Sequence, residues 1–248
     1  MRAAKKAARW KSRPRRESLH PKHLLPAPRD EAELRARLTA LGGRSLKELA
    51  DRAGLETPPD LRRDKGWVGT LLERTLGATA GSRAEPDFPT LGIELKSLPI
   101  DAAGRPVEST FVASLDLAER DLRWEISPVR KKLARVAWVV VEAAKEIPLA
   151  QRRVGAALLW SPSEEEFIEL RRDYEEIVEL VEEGFLEQIT GHRGTALQLR
   201  PKGRNAADLR SALDEEGGAV RAAPRAFYLR PRFTESILRR HFQMPQAE

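Results

Sequence analysis

The sequence predicts an α/β or α+β fold built on a mixed sheet. Strand-like and helix-like segments intermix along the 248 residues, the pattern of a layered fold rather than of a helix bundle or a β-sandwich. "AWVVVEA", residues 137–143, is a short β-branched apolar run suited to a buried central strand. "SPSEEEFIELRRDYEEIVELVEEG", residues 161–184, is a long helix with an apolar stripe of Phe167, Leu170, Tyr174, Ile177 and Val181.

In chain order, Asp30 caps a helix over "DEAELRARLTAL", which Gly42 and Gly43 close. Ser45 opens a shorter helix that ends at Gly54, and "TPPD" then breaks the chain. A third helix is predicted from about Asp64 to Leu76, stopped by Gly77. The "LGIELKSL" segment and "VESTFVASLDL" both alternate as strands do. Ser127 as N-cap and Pro128 at the first helical position start a helix that leads into the apolar strand. In the long helix, Ser163 and Glu166 form a capping box, and nearly all its acids fall on the polar face. Beyond it, "TALQLRPKG" reads as a strand, "AADLRSALDEEGG" as a helix, "RAFYLRPRF" as a strand and "TESILRRHF" as a final helix.

Composition excludes several function classes. With no cysteine there is no disulfide framework and no thiolate zinc site, and four scattered histidines argue against a His-based metal site. No apolar run approaches a membrane span, and no apolar stretch follows the basic N-terminus as in a secretory signal, so a cytoplasmic protein is expected. The net charge is +6, yet residues 1–30 hold ten Lys or Arg against two acids. The rest of the chain is therefore slightly acidic, and any nucleic-acid site in it must be a local patch. Residues 1–29 are expected to form a basic, disordered tail, a solubilising extension or an arm with phosphate affinity. A single domain over 30–248 follows. The chain writes positive charge with 33 Arg and only 11 Lys. A retained lysine thus draws notice, because Lys is a compact charge whose pKa can shift.

The chemistry concentrates in "EPDFPTLGIELKSLPI", residues 85–100. On a strand, Leu91, Ile93 and Leu95 share one face and Glu94 and Lys96 the other, roughly 6–7 Å apart. A turn at Pro86 and Pro89 would bring the Asp87 carboxylate back toward Glu94. Two facing carboxylates repel unless a cation neutralises them. A site made only of oxygen ligands points to Mg²⁺ rather than zinc. A lysine beside it can orient or deprotonate a water and balance the charge of a phosphodiester under attack. Asp87, Glu94 and Lys96 match the PD-(D/E)xK nuclease pattern, but the pattern alone also fits a half-buried strand whose charges face water. "GATAGS", residues 77–82, lacks the Gly-Lys-Ser/Thr ending of a phosphate loop, and no G-x-S-x-G occurs. Glu73 sits on a helix facet of Gly69, Thr70 and Gly77, where another element could approach; it is either a further ligand or water-orienting group, or an exposed helix acid.

The words around this motif resemble the MutH family, the strand-nicking endonucleases of methyl-directed mismatch repair. The resemblance runs through "RDKGWVGTLLERTLGATAGSRAEPDFPTLGIELKSLPID", "GRPVESTFV", "WEISPVRKKLARVAWVVVE", "IPLAQRRVGAALLWSPSEEE", "LQLRPK" and "RAFYLRPRFTESILRRHF", in order over residues 30–243. Related GATC-cutting restriction enzymes share the catalytic core. The resemblance implies a restriction-endonuclease-like fold of two lobes around a DNA cleft. It places the catalytic core around residues 64–142 and DNA recognition around 190–243. It implies Asp87, Glu94 and the Leu95 carbonyl as Mg²⁺ ligands, Lys96 as the catalytic lysine and Glu73 as the carboxylate that completes the site. Lys65, and Lys132 beside its neighbour Lys131, look like further functional lysines. Arg200 and Lys202 resemble base-reading positions, Tyr228 the aromatic that senses adenine methylation, and Phe111 a DNA contact on the cleft wall. The substrate implied is double-stranded DNA carrying hemimethylated GATC. The partners implied are MutL as activator and MutS upstream of it, with the enzyme itself a monomer. The rival readings are a restriction enzyme that cuts both strands at GATC and a non-catalytic DNA-binding module.

Overall fold

A computed structural model describes residues 25–243 apart from 63, 82, 84, 118, 120, 187, 188, 190, 203–209 and 214–218. The expected basic tail thus lies outside the described residues except for its last five. The order is α1 (Glu31–Leu41), α2 (Leu46–Arg52), α3 (Trp67–Leu76), β1 (Glu94–Ile100), β2 (Thr110–Leu115), α4 (Pro128–Leu133), β3 (Val136–Glu142), β4 (Val154–Trp160), α5 (Glu164–Glu182), β5 (Leu197–Pro201), β6 (Arg210–Leu213), β7 (Ala219–Ala222), β8 (Arg225–Leu229) and α6 (Pro231–Phe242).

The helix starts follow local capping chemistry. Asp30 accepts the Glu33 N–H at 2.8 Å, Ser45 and Glu48 form a capping box, and so do Ser163 and Glu166. α3 has no capping side chain and begins at Trp67, three residues later than expected. Its end does follow the sequence: Gly77 adopts φ +82°, and a Cβ there would collide with the Pro26 carbonyl.

β1, β3 and β4 form one mixed sheet, with β1 parallel and β4 antiparallel to the central β3. β4 had no clear signature in the sequence, because only Val154, Leu158 and Trp160 of it are buried. Central β3 is buried on both faces, as its continuous apolar run requires. Val136, Trp138 and Val140 point into one core with β2, β5, β8 and α4–α6. Ala137, Val139 and Val141 point into a second core with α1, α2 and α3. Each fully buried Val or Leu contributes ~1.5–3 kcal/mol, so β3 anchors both halves.

β2, β8 and β5 form an antiparallel sheet. It packs on α5 through Tyr174, whose ring stacks on Phe227 at 5.0 Å and whose hydroxyl donates to the Leu122 carbonyl at 2.9 Å. Burial pushes that phenol up to about 12.

One predicted helix is corrected. Of the segment 206–218, the described part is strand β6, paired antiparallel with β7 from Arg210↔Ala222 to Leu213↔Ala219. Leu209 and Leu213 are too few to make an apolar stripe, while Gly217–Gly218 between two short strands is a hairpin signal. α5 holds a second surprise, because Glu166 and Asp173 are buried among its many exposed acids. No helix among the described residues is long and apolar enough to cross a membrane.

Candidate active site

The Asp87 backbone and the start of β1 make a tight turn. Phe88 and Ile93 exchange backbone hydrogen bonds of 2.9 and 3.3 Å, and Gly92 takes φ +64° between them. β1 therefore begins at Glu94, later than the predicted alternation from Leu91, and Leu91 is only partly buried in the turn. The turn returns Asp87 over the strand, where its Oδ2 accepts the Leu95 N–H at 2.8 Å. Glu94 and Lys96 then share a face, as strand alternation predicts. The Lys96 ammonium donates to Glu94 Oε1 at 2.5 Å. From α4, Lys132 donates to both Glu94 oxygens at 2.9 and 3.1 Å, while Lys131 is exposed on the outer side. Glu94 itself is buried, 1% exposed, a position a carboxylate tolerates only with such partners.

These side chains open into a cleft of about 1140 Å³, which Glu73, Asp87, Glu94, Leu95, Lys96 and Lys132 all line. Glu73 comes from α3, so three elements and one turn converge there. Lys65 lies on the rim before α3. Sequence reasoning missed Arg62, Lys145 and Arg152, which line the same cleft. They lie outside the helices and strands, Arg62 and Arg152 each beside a second arginine, and no spacing pattern singles them out.

On the opposite wall, Phe111 of β2 faces Tyr228 of β8 across the ladder, with ring centroids 5.6 Å apart and edge to face. Phe111 links the two predicted groups of residues. The Lys96 ammonium lies 5.9 Å and the Lys202 ammonium 4.6 Å from its ring centroid. Arg200 of β5 lies 5.7 Å from the Tyr228 ring, and Lys202 also donates to Ser114 Oγ at 2.6 Å. Every site residue singled out from the sequence thus lies in the cleft or on the aromatic pair that walls it.

Glu73, Asp87 and Glu94 crowd three carboxylates together within the cleft. Burial, then the negative charge of Asp87, raises the Glu73 pKa above the usual carboxylate range. Burial, then Glu94, raises that of Asp87, with the Leu95 N–H and Lys96 pulling the other way. A raised carboxylate favours the neutral form in the folded state. Its contribution to stability is full below the unfolded-state pKa and is lost as pH rises through the folded-state pKa. Asp87→Asn removes one such charge and keeps an acceptor for the Leu95 N–H. In chelator-treated protein it should raise the melting temperature at pH 7 and flatten its fall from acid to neutral pH. A lower midpoint than wild type would contradict this electrostatic picture.

The donor set suits a hard cation. Among the described residues no three acidic or histidine side chains form a ready-made metal cage. Mg²⁺ does not need one, since it is usually held by one or two carboxylates, with waters and substrate phosphate completing its shell. Asp87 and Glu94, with Glu73 lining the same cleft, fit that requirement.

The sequence profile described as "DNA mismatch repair enzyme MutH" matches residues 76–173, which include Asp87, Glu94, Lys96 and Lys132. The DNA mismatch repair protein MutH of Serratia proteamaculans is 53% identical over 220 residues, 88% of this chain and 96% of its own. The chain belongs to the MutH family. The MutH proteins of Salmonella paratyphi B and Salmonella typhimurium are each 52% identical over 88% of this chain and 95% of theirs. The mixed α+β architecture, with its three-stranded mixed sheet beneath the cleft, is that expected of a MutH protein with a restriction-endonuclease-like core.

Proposed function

We propose that this chain is the endonuclease of DNA mismatch repair that nicks the unmethylated strand at hemimethylated GATC sites, using Mg²⁺. The observation that carries the reading is the convergence of Glu73, Asp87, Glu94, Lys96 and Lys132, from separate elements, in a single cleft beside Phe111 and Tyr228. Asp87 and Glu94 would hold the metal, with the Leu95 carbonyl as a third ligand. When bound, Mg²⁺ supplies Lewis acidity that polarises the phosphate and makes a water more acidic. Lys96, held by Glu94 and flanked by Phe111, orients the attacking water and balances the negative charge that builds on the phosphate oxygens. Lys132 adds a second positive charge from the α4 side, and Glu73 completes the polar surround of the attacking water.

Residues 64–142 carry the chemistry in this reading, and the strands within 190–243 carry recognition. Arg200 and Lys202 present cations to the O6 and N7 acceptors of guanine. Tyr228, against Arg200, meets the adenine whose methylation is sensed. Lys65 and the basic residues on the same rim take phosphates, a sequence-independent and salt-dependent term. The enzyme acts as a monomer in the cytoplasm, with MutL as activator and MutS upstream.

The deciding assay uses unmethylated, hemimethylated and fully methylated GATC duplexes, with Mg²⁺, with and without MutL. Nicks confined to the unmethylated strand, no cleavage of the fully methylated duplex and stimulation by MutL are expected. Double-strand breaks regardless of methylation would make the protein a restriction enzyme. No Mg²⁺-dependent cleavage at high enzyme concentration with MutL would leave a DNA-binding module.

A further inference from the structure

The strand that carries Arg200 and Lys202 does not hold its position through its own ladder alone. The chain enters β5 through a short loop, residues 191–196, that packs between the buried acid of α5 and the start of α6. Asp173, 1% exposed, aims its carboxylate at the end of this loop. Its Oδ2 accepts the backbone N–H groups of Thr195, Ala196 and Leu197 at 2.7, 2.6 and 2.9 Å. A carboxylate taking three backbone donors makes strong, charge-assisted bonds. Gly194, at φ +75°, is what admits this approach, since a Cβ there would collide with the Leu197 carbonyl and press on the Asp173 carboxylate at 3.2 Å.

The carbonyls of the same loop turn the other way, toward a cation. Arg230 follows the last residue of β8 and caps α6. Its guanidinium donates to the carbonyls of Gly191, Arg193 and Gly194 at 2.7, 2.8 and 2.9 Å, and its backbone N–H to Ala196 at 2.8 Å. The loop is thus held by its donors on an anion and by its acceptors on a cation. Neither charged residue lines the cleft. An acid buried beneath one loop and an arginine committed to three carbonyls are costly groups to use for an ordinary connection.

What they secure is register. β5 runs from Leu197 to Pro201 and, among the described residues, pairs only with β8, from Leu197↔Leu229 to Pro201↔Arg225. Leu197 and Leu199 bury one face of this short edge strand, which opposes a one-residue slip that would move every side chain to the other face, and the clamp reinforces that register from the strand's entry. The clamp grips the residues just ahead of Arg200, about 3.3 Å per residue away from it. We infer that Asp173 and Arg230 are specificity-positioning residues. By fixing the register of β5 they hold Arg200 and Lys202 at the base edges, and their loss degrades discrimination between DNA sites before it degrades the hydrolytic machinery on β1 and α4. This inference rests on the proposed base-reading role of Arg200 and Lys202.

The test measures kcat/KM for nicking on hemimethylated GATC and on duplexes with one base pair of that site changed, for wild type, Asp173→Asn, Arg230→Gln and Arg200→Ala. All assays run well below each variant's melting temperature. Asp173→Asn and Arg230→Gln should each lower the cognate value about ten-fold or more while the changed sites move little, because a well-aligned side-chain–base pair is worth ~1–3 kcal/mol of discrimination. A merely structural role would lower both kinds of site together, and that result would overturn the inference. Arg200→Ala separates the two claims. If it keeps wild-type discrimination, the base-reading assignment has failed. If it loses discrimination while the clamp variants keep theirs, the clamp has failed. Should Asp173→Asn not fold, Arg230→Lys keeps the charge but not the three-way planar fork, and a wild-type discrimination ratio in that variant equally overturns the proposal.

Discussion

Lys96→Ala is expected to lower the nicking rate by on the order of 10²–10⁴-fold, the range for removing a group that positions and polarises the attacking water, while DNA binding persists. Lys96 sits on β1 with its ammonium on Glu94, 2.5 Å away, so the substitution deletes the charge without touching the core that holds the strand. Asp87→Ala should be at least as damaging, because it removes both a carboxylate proposed to hold the metal and the acceptor of the Leu95 N–H. Binding is expected to survive in both variants because Lys65, Arg62, Lys145 and Arg152, the residues proposed to take phosphates, lie elsewhere on the cleft lining. Single-turnover nicking alongside binding by fluorescence anisotropy, in Ca²⁺ or without metal, checks both halves. Full activity in either variant would remove these residues from the mechanism.

Trp138→Ala should give the largest loss of stability, about 3–5 kcal/mol, the usual cost of deleting a fully buried large aromatic. Trp138 is 0% exposed, packs on Trp160 at 6.2 Å and lies on the strand that backs β1. For a chain of this length the fall in melting temperature is on the order of 10 °C. Because Trp138 is the register partner of Lys96, the loosened sheet should also reduce nicking at temperatures where the fold is still intact. Urea unfolding and nicking at two temperatures measure the two effects. A loss below 1 kcal/mol would mean that the two cores do not depend on β3 as their packing implies.

The parts of the fold that were legible in the sequence are those with local causes. Asp30, Ser45, Ser127 and Ser163 announce helix starts because an N-cap needs only its own next three residues. β3 is legible because a strand buried on both faces has no polar alternation to confuse the pattern. Segment 206–218 reads as a helix, yet its described part is a strand whose partner lies beyond a turn, and the pairing decides. Asp173 reads locally as one more acid of a polar helix. The signal was present, since Asp173 stands three residues after Leu170 and four before Ile177, inside the apolar stripe. What could not be seen was the set of three N–H groups, more than twenty residues away, that makes its burial affordable.

The candidate site divides along the same line. The sequence by itself determined the donor chemistry: carboxylates and lysines without cysteine, on a strand whose period of two puts Glu94 beside Lys96. It also contained the family resemblance that singled out the distant residues. Only the tertiary structure decided that Lys132 rather than Lys131 meets Glu94, that Asp87 folds back onto Leu95, and that Phe111 stands between Lys96 and Lys202. The physical reason is range. Alternation, capping and turn chemistry act over a few residues and are written locally, whereas the closeness of side chains from α3, β1, α4, β5 and β8 depends on how two sheets and two cores pack.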